Sequence, residues 1–189
     1  MFRLSFWGVR FAAAVWRRLS MWFVTRLHRA SLAKVGPGSR FQSGIRFDRP
    51  SMVEIGADCY FWRGVGASAE GRDAFLKIGD RVQVNQNVLL DMTGGLTLGD
   101  DVLISEEAVI YTHDHGLDPH AIAVPSPKLI EHGVWIGMRA VILPSCRLIG
   151  AGAVIGAGAI VTRDVPAGAI VGGNPARIIS FRNQNEVAA

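Results

Sequence analysis

From Val134 to Arg177 aliphatic residues return at a step of about six: Ile136, Ile142, Ile149, Ile155 and Val161. Four positions after each comes a small or β-branched residue: Ala140, Cys146, Ala153, Ala159 and Val165. An α-helix cannot hold a six-residue step on one face, because 3.6 residues per turn drifts out of phase. A stack of short strands and tight turns can, with glycine supplying left-handed backbone at the turns. The pattern predicts an all-β solenoid, a parallel β-helix of hexapeptide repeats with three hexads to a triangular coil. Upstream the period is looser. Phe41, Phe47 and Val53–Ile55 mark irregular early coils, and residues 62–75 read as a longer turn. Regularity returns at Ile78, and roughly six coils are expected over residues 35–177.

Residues 1–34 follow another pattern. They contain no proline and only Gly8 as a breaker, and Arg3, Arg10 and Arg17 recur seven apart on one stripe. This predicts an amphipathic helix, rich in Phe and Trp (Phe2, Phe6, Trp7, Phe11, Trp16, Trp22, Phe23). Arginines interrupt each apolar run well short of the roughly 20 residues a membrane span needs. No clear cleavage site follows, so the segment is a poor signal peptide, although its composition resembles an organelle transit peptide. Two readings remain open: a helix packed on the solenoid or a neighbouring subunit, and a helix lying on anionic lipid. Residues 178–189 read as a C-terminal tail.

Charge sharpens the second reading. The net charge is +4, yet no acidic residue precedes Asp48, while nine basic ones do; the remainder carries −5. That asymmetry implies an anionic contact. Nucleic acid is the poorer candidate, because the basic residues are mixed with apolar aromatics on one helix. If the helix lies on anionic lipid, a peripheral place on the cytoplasmic face of a membrane is expected. Cys59 and Cys146 occupy small inward repeat positions, with no metal or redox spacing.

The candidate chemistry lies where the repeat stops. After Ile110 the period is lost in YTHDHGLDPHAIAVPSPKLIEHG and regained at Val134, a protruding loop over about 112–131. It carries His113, His115, His120 and His132, and Pro119, Pro125 and Pro127 hold it extended. His113 and His115, two apart, share a face on an extended segment. Upstream, VNQNVLLD contains Asn85, Asn87 and Asp91. The two asparagines suit either a site or a turn, and Asp91 is a weaker acceptor-site candidate.

The repeat, the His-bearing loop, VWIG at Val134–Gly137 and GGNPAR at Gly172–Arg177 together resemble the hexapeptide-repeat acyltransferases, in particular the coenzyme-A-dependent sugar and polysaccharide O-acetyltransferases. The resemblance covers about Ile78 to Ile179. It implies a left-handed coil, although general crossover rules favour the opposite hand, and a homotrimer. It also implies acetyl-CoA as co-substrate, a sugar or glycan hydroxyl as acceptor, and no metal. Acyl transfer to an alcohol needs a base for the hydroxyl proton, for which imidazole has a suitable pKa. By register, His115 in His115-Gly116-Leu117-Asp118-Pro119 is that base, with His113 as rival and Asn85 nearby. Trp135, Gly137, Met138, Ala157, Thr162 and Arg163 line the coenzyme groove, and Arg177 meets its phosphates. Two features depart from the pattern. One residue is inserted near Arg147–Ile149, and the N-terminal segment lacks the acid of the small-sugar branch, which puts a maltose-like or galactoside-like acceptor in doubt.

Two other functions fit parts of the pattern. A zinc carbonic anhydrase on the same solenoid would need a third histidine ligand upstream, where only His28 and His113 stand. A non-catalytic scaffold leaves the loop histidines without a purpose. Serine acetyltransferases carry a much longer helical N-terminal domain.

Overall fold

The computed structural model describes residues 2–118 and 120–182. Met1, Pro119 and residues 183–189 lie outside the described residues, as do the side chains of residues 2–5, Phe2 and Arg3 among them. One α-helix, Phe2–Ser31, precedes a parallel β-solenoid of about seven turns that matches a left-handed β-helix. Strands of two to five residues form three sheets. The first sheet runs from Lys34–Val35 to Leu148–Ile149 and has six strands. The second runs from Arg40–Phe41 to Ala169–Gly172 and is closed by the antiparallel strand Arg177–Phe181, making eight. The third runs from Arg46–Phe47 to Ile160–Val161 and has six.

The predicted inward positions are inward. Ile136, Ile142, Ile149, Ile155 and Val161 are buried, and so are Ala140, Cys146, Ala153, Ala159 and Val165. Both cysteines are free and buried, and burial raises the pKa of both thiols, that of Cys146 to about 11. Glycine is not the only source of left-handed turns. Asp58, Arg81, Asn87, Asp101, Glu107 and Arg139 all have φ between 54° and 59°, each just before a small or β-branched inward residue. Charged neighbours in adjacent coils brace some of them: Arg81 grips Asp101 with two bonds of 2.7 Å, and Arg139 meets Glu107 at 2.7 Å. Glycine is needed instead where coils touch. A Cβ on Gly137 would stand 2.6 Å from the Ile155 carbonyl oxygen.

Three boundaries differ from the sequence expectation. The tail expected from residue 178 begins later, because Arg177–Phe181 is a strand paired with Ala169–Gly172. Within residues 62–75, Gly66–Ser68 is a regular strand of the third sheet, paired with Arg46–Phe47 and Leu89–Asp91. Its small residues gave no aliphatic signal, although Ala67 is buried in the core. The stack also resumes earlier after the loop: Lys128–Ile130 pairs with Leu96–Leu98 in the first sheet. Here a lysine fills an inward position. Lys128 is buried, its ammonium donates to the Leu143 carbonyl at 3.0 Å, and burial lowers its pKa.

The N-terminal end of the core is covered. The last turns of the helix sit over the first coil, with the His28 ring tilted against Phe41 at 4.9 Å between ring centroids and Phe41 stacked on Phe61 at 4.9 Å. The Phe41 amide donates to the Thr25 hydroxyl at 3.0 Å. Terminal capping of this kind is what a solenoid needs to shield its end coils from water.

Candidate active site

The loop leaves the stack at the corner after the third sheet, and the coil below prepares that corner. Asp91 ends the strand Leu89–Asp91 and is buried. Its Oδ1 accepts from the Thr93 amide at 3.0 Å and the Thr93 hydroxyl at 2.6 Å. Its Oδ2 accepts from the Thr112 amide at 2.6 Å and lies 2.8 Å from the Thr112 hydroxyl. Burial pushes the carboxyl pKa up, but these bonds from Thr93 and Thr112 outweigh it and hold the pKa below its ordinary value. Asp91 is therefore a carboxylate with nearly all its lone pairs used.

The same Oδ2 lies 2.7 Å from His113 Nδ1. A carboxylate only accepts, so Nδ1 carries the proton. His115 is held in the same sense by another acceptor: its Nδ1 lies 2.7 Å from the Ala121 carbonyl oxygen, across the loop. In the neutral ring each Nε2 then keeps its lone pair. The rings meet edge to face, 4.9 Å between centroids. His113 is the more enclosed, with 12% of its side chain exposed against 28% for His115. A short antiparallel pair, His113–Asp114 with Val124–Pro125, closes the base of the loop.

Glu70 joins this pair, and the sequence did not single it out. It lies in the 62–75 segment that interrupts the repeat, one coil below Asp91. Its carboxylate oxygens stand 3.6 Å from His113 Nε2 and 3.4 Å from His115 Nε2. The ligand atoms of Glu70, His113 and His115 lie within 4.8 Å of one another, so the three could grip a divalent cation. Both histidines already donate their other ring N–H to an oxygen acceptor, an arrangement that also suits metal ligands. A pocket of about 330 Å³ opens beside Glu70, walled by Arg72, Asp73, Thr93 and Ile122.

No family model matches the chain. It is 31% identical over 157 residues to WbbJ of Escherichia coli K12, a proposed lipopolysaccharide biosynthesis O-acetyl transferase, covering 76% of this chain and 78% of that one. The chain belongs to the hexapeptide-repeat acetyltransferases.

A second relative is local. The 2,3,4,5-tetrahydropyridine-2,6-dicarboxylate N-acetyltransferase of Staphylococcus aureus (strain JH9) is 57% identical over 54 residues, but the match spans only 22% of its length. Among solved structures, the hexapeptide-repeat acetyltransferase VCA0836 of Vibrio cholerae, complexed with acetyl coenzyme A, has a TM-score of 0.59 at 26% identity. That match covers 85% of this chain and 76% of that one. AntD, an N-acyltransferase of Bacillus cereus crystallised with dTDP and 3-hydroxybutyryl-CoA, shares the fold. Its TM-score is 0.76 at 20% identity, over 89% of this chain and 93% of that one.

In this acetyltransferase the residues expected to meet coenzyme fall in two places. Trp135, Gly137, Met138 and Ala157 lie on the second sheet and the corner after it. Trp135 is half exposed and donates from its indole to the Ser105 hydroxyl at 3.0 Å; Met138 is exposed. Asn85 sits on this corner too, while Asn87, with φ 56°, serves the turn itself. Thr162, Arg163 and Arg177 instead line one cleft of about 310 Å³ at the C-terminal end of the stack. Within one chain Asn85 and the Trp135 group occupy a different corner from the histidines. Asp91, the weaker acceptor-site candidate, is buried beneath His113.

Proposed function

We propose that this chain moves an acetyl group from acetyl-CoA to a hydroxyl of a sugar or glycan precursor, with His115 as general base. The observation that carries this reading is the His115 ring, its Nδ1 held by the Ala121 carbonyl and its Nε2 at the more open side of the pair. As the hydroxyl oxygen attacks the thioester carbonyl, His115 Nε2 takes the hydroxyl proton. The new C–O bond forms, the C–S bond breaks, and the proton passes to the departing thiolate. His113 acts as a positioning residue: locked to Asp91, it sets the edge against which the His115 ring rests. Glu70 faces the charge that the base acquires. The pocket beside Glu70, with Arg72 and Asp73 in its wall, offers polar groups for the hydroxyls of a sugar.

Coenzyme recognition is shared between Trp135, Gly137, Met138 and Ala157 on one corner and Thr162, Arg163 and Arg177 at the end cleft. A homotrimer would bring the two places together. The outer face of the third sheet carries an apolar column in register, Leu89, Val109, Val141 and Ile160, flanked by the Asn85 corner on one side and the histidine corner on the other. Association through that face sets one chain's Asn85 corner near the next chain's histidines. The relationship to WbbJ, and the acetyl-CoA complex of VCA0836, support the donor and reaction class. The use of this donor also favours the cytoplasmic side.

The test is acetyl-CoA turnover across nucleotide sugars, lipid-linked sugars and oligosaccharides, read as free thiol and as acetyl ester on the product. Acceptor-dependent thiol release is expected. Absence of both release and calorimetric CoA binding would return the scaffold reading. A monomer in sedimentation at micromolar concentration would remove the shared site.

A further inference from the structure

The N-terminal helix divides into two faces by its own register. Met21, Val24, Thr25 and His28, spaced three and four apart, face the first coil; Val24 packs on the core, and the Tyr60 hydroxyl lies 3.5 Å from Met21 Sδ. Phe11, Val15, Leu19, Phe23 and Leu27, spaced every four, are exposed on the other side, and Trp16 and Trp22 are exposed with them. At about 100° per residue this second set spans an arc opposite the solenoid. Among the described residues, no segment covers it.

Between the last helical turns and the first coil lies a groove of about 760 Å³. Arg18, Arg26, Arg29 and Arg40 line it, with Trp22 as an apolar wall. The Arg26 guanidinium lies over the Trp22 ring at 4.8 Å, and Arg29 donates to the Gly36 carbonyl at 3.1 Å. Among the described residues none of these four arginines meets a carboxylate.

We propose that the groove is a phosphate-headgroup site for anionic phospholipid, and that the exposed face of the helix lies in the acyl boundary of the same membrane. Guanidinium groups suit phosphate by charge and geometry, and an apolar arc beside them suits lipid rather than a free anion. A second copy of the helix fits poorly, because it would bring the same uncompensated positive charge. Among the described residues no helix is long and apolar enough to cross a membrane, so the contact is peripheral. The solenoid hangs on the opposite side of the helix, with its active site in water beside the bilayer. This inference is independent of the acceptor, since it concerns residues that the acyl-transfer reading does not use.

The test is co-sedimentation of the full-length protein with phosphatidylcholine vesicles and with phosphatidylcholine/phosphatidylglycerol vesicles, at low and high salt. Binding to the anionic vesicles alone, weakened by salt, is expected. The double variant Arg26→Gln/Arg29→Gln should bind them about thirty-fold more weakly, the effect of two basic residues at an anionic surface. The variant Phe11→Ser/Leu19→Ser, which leaves the groove intact, should also lose binding while keeping wild-type turnover on a soluble acceptor. Inorganic phosphate at millimolar concentration should not release the protein from vesicles; release would mark the groove as a site for a soluble anion. Equal binding to neutral and anionic vesicles would overturn the proposal. So would loss of the oligomer in Phe11→Ser/Leu19→Ser without any vesicle binding by the wild type, because the face would then be covered by another copy.

Discussion

The rings of His113 and His115 stand at 89° to one another, centroids 4.9 Å apart, with both Nε2 atoms directed toward Glu70. Two imidazoles of the same tautomer have been given different partners. His113 is tied to a buried carboxylate and His115 to a backbone carbonyl. The first partner belongs to the stack, the second to the loop, so the pair joins the loop to the coil beneath it.

Their roles separate by mutation. His115→Ala should lower kcat by roughly two orders of magnitude or more, the range for a lost general base, with KM for acetyl-CoA little changed. His113→Ala should keep more activity and show a loosened loop, read as faster amide exchange over residues 112–127. Full inactivity of His113→Ala with near-normal His115→Ala would exchange the roles.

Asp91→Asn tests the anchor. An amide puts a donor among the Thr93, Thr112 and His113 donors, and one buried mismatch costs about 1–3 kcal/mol. The Asp91 pKa is lowered in the folded chain, so its ionised form contributes stability above the ordinary carboxyl range, lost as pH falls through the folded value. The stability gap between wild type and Asp91→Asn should be constant above about pH 5 and narrow below about pH 4. Urea titrations across that range measure it.

Metal should oppose the reaction. Acyl transfer by a histidine base needs a free Nε2, and a cation held by Glu70, His113 and His115 would occupy it. Dialysis against a chelator should leave turnover intact, while micromolar Zn²⁺ should inhibit, less so in Glu70→Gln. Activity that falls on chelation and returns with Zn²⁺ would favour metal-assisted chemistry instead.

The end cleft should report the nucleotide half of the donor. Arg177→Ala should raise KM for acetyl-CoA about tenfold or more, in the range of a lost hydrogen bond to a charged group, with little change in kcat. Turnover of acetyl-pantetheine, which lacks the nucleotide phosphates, should be unaffected. Equal loss with both donors would place Arg177 outside phosphate recognition.

Lys128 is a buried charge with a single carbonyl partner at 3.0 Å. Lys128→Met should stabilise the chain by about 1–3 kcal/mol at neutral pH. Because burial lowers the folded pKa below 10.5, the wild type should recover ground as pH rises from the folded value toward 10.5. A thermal-melt series at alkaline pH compares the two.

The repeat was legible because each hexad carries the same chemistry: an aliphatic residue that must be inside and a small one that must fit a corner. Ile136 and Ala140 state that rule locally, and so did the place where it fails, the histidine loop. Left-handed turns were legible only in part. Gly158 announces one, whereas Arg139 and Glu107 adopt the same backbone with side chains that pair between coils. Gly66–Ser68 stayed hidden because a strand of small residues carries no period of its own.

The sequence by itself determined the solenoid, the loop, the two histidines and the basic aromatic helix, since each is a pattern among residues near in the chain. Only the tertiary structure decided which groups meet. Asp91 and His113 are 22 positions apart, about one coil plus the start of a loop. Glu70 reaches both histidines from the coil below Asp91, out of a segment with no motif. Arg40 joins Arg18, Arg26 and Arg29 only because the helix folds back over the first coil. A solenoid converts separations of about twenty residues into direct contact along its axis, and that contact depends on how many residues each corner consumes, a quantity that no single hexad carries.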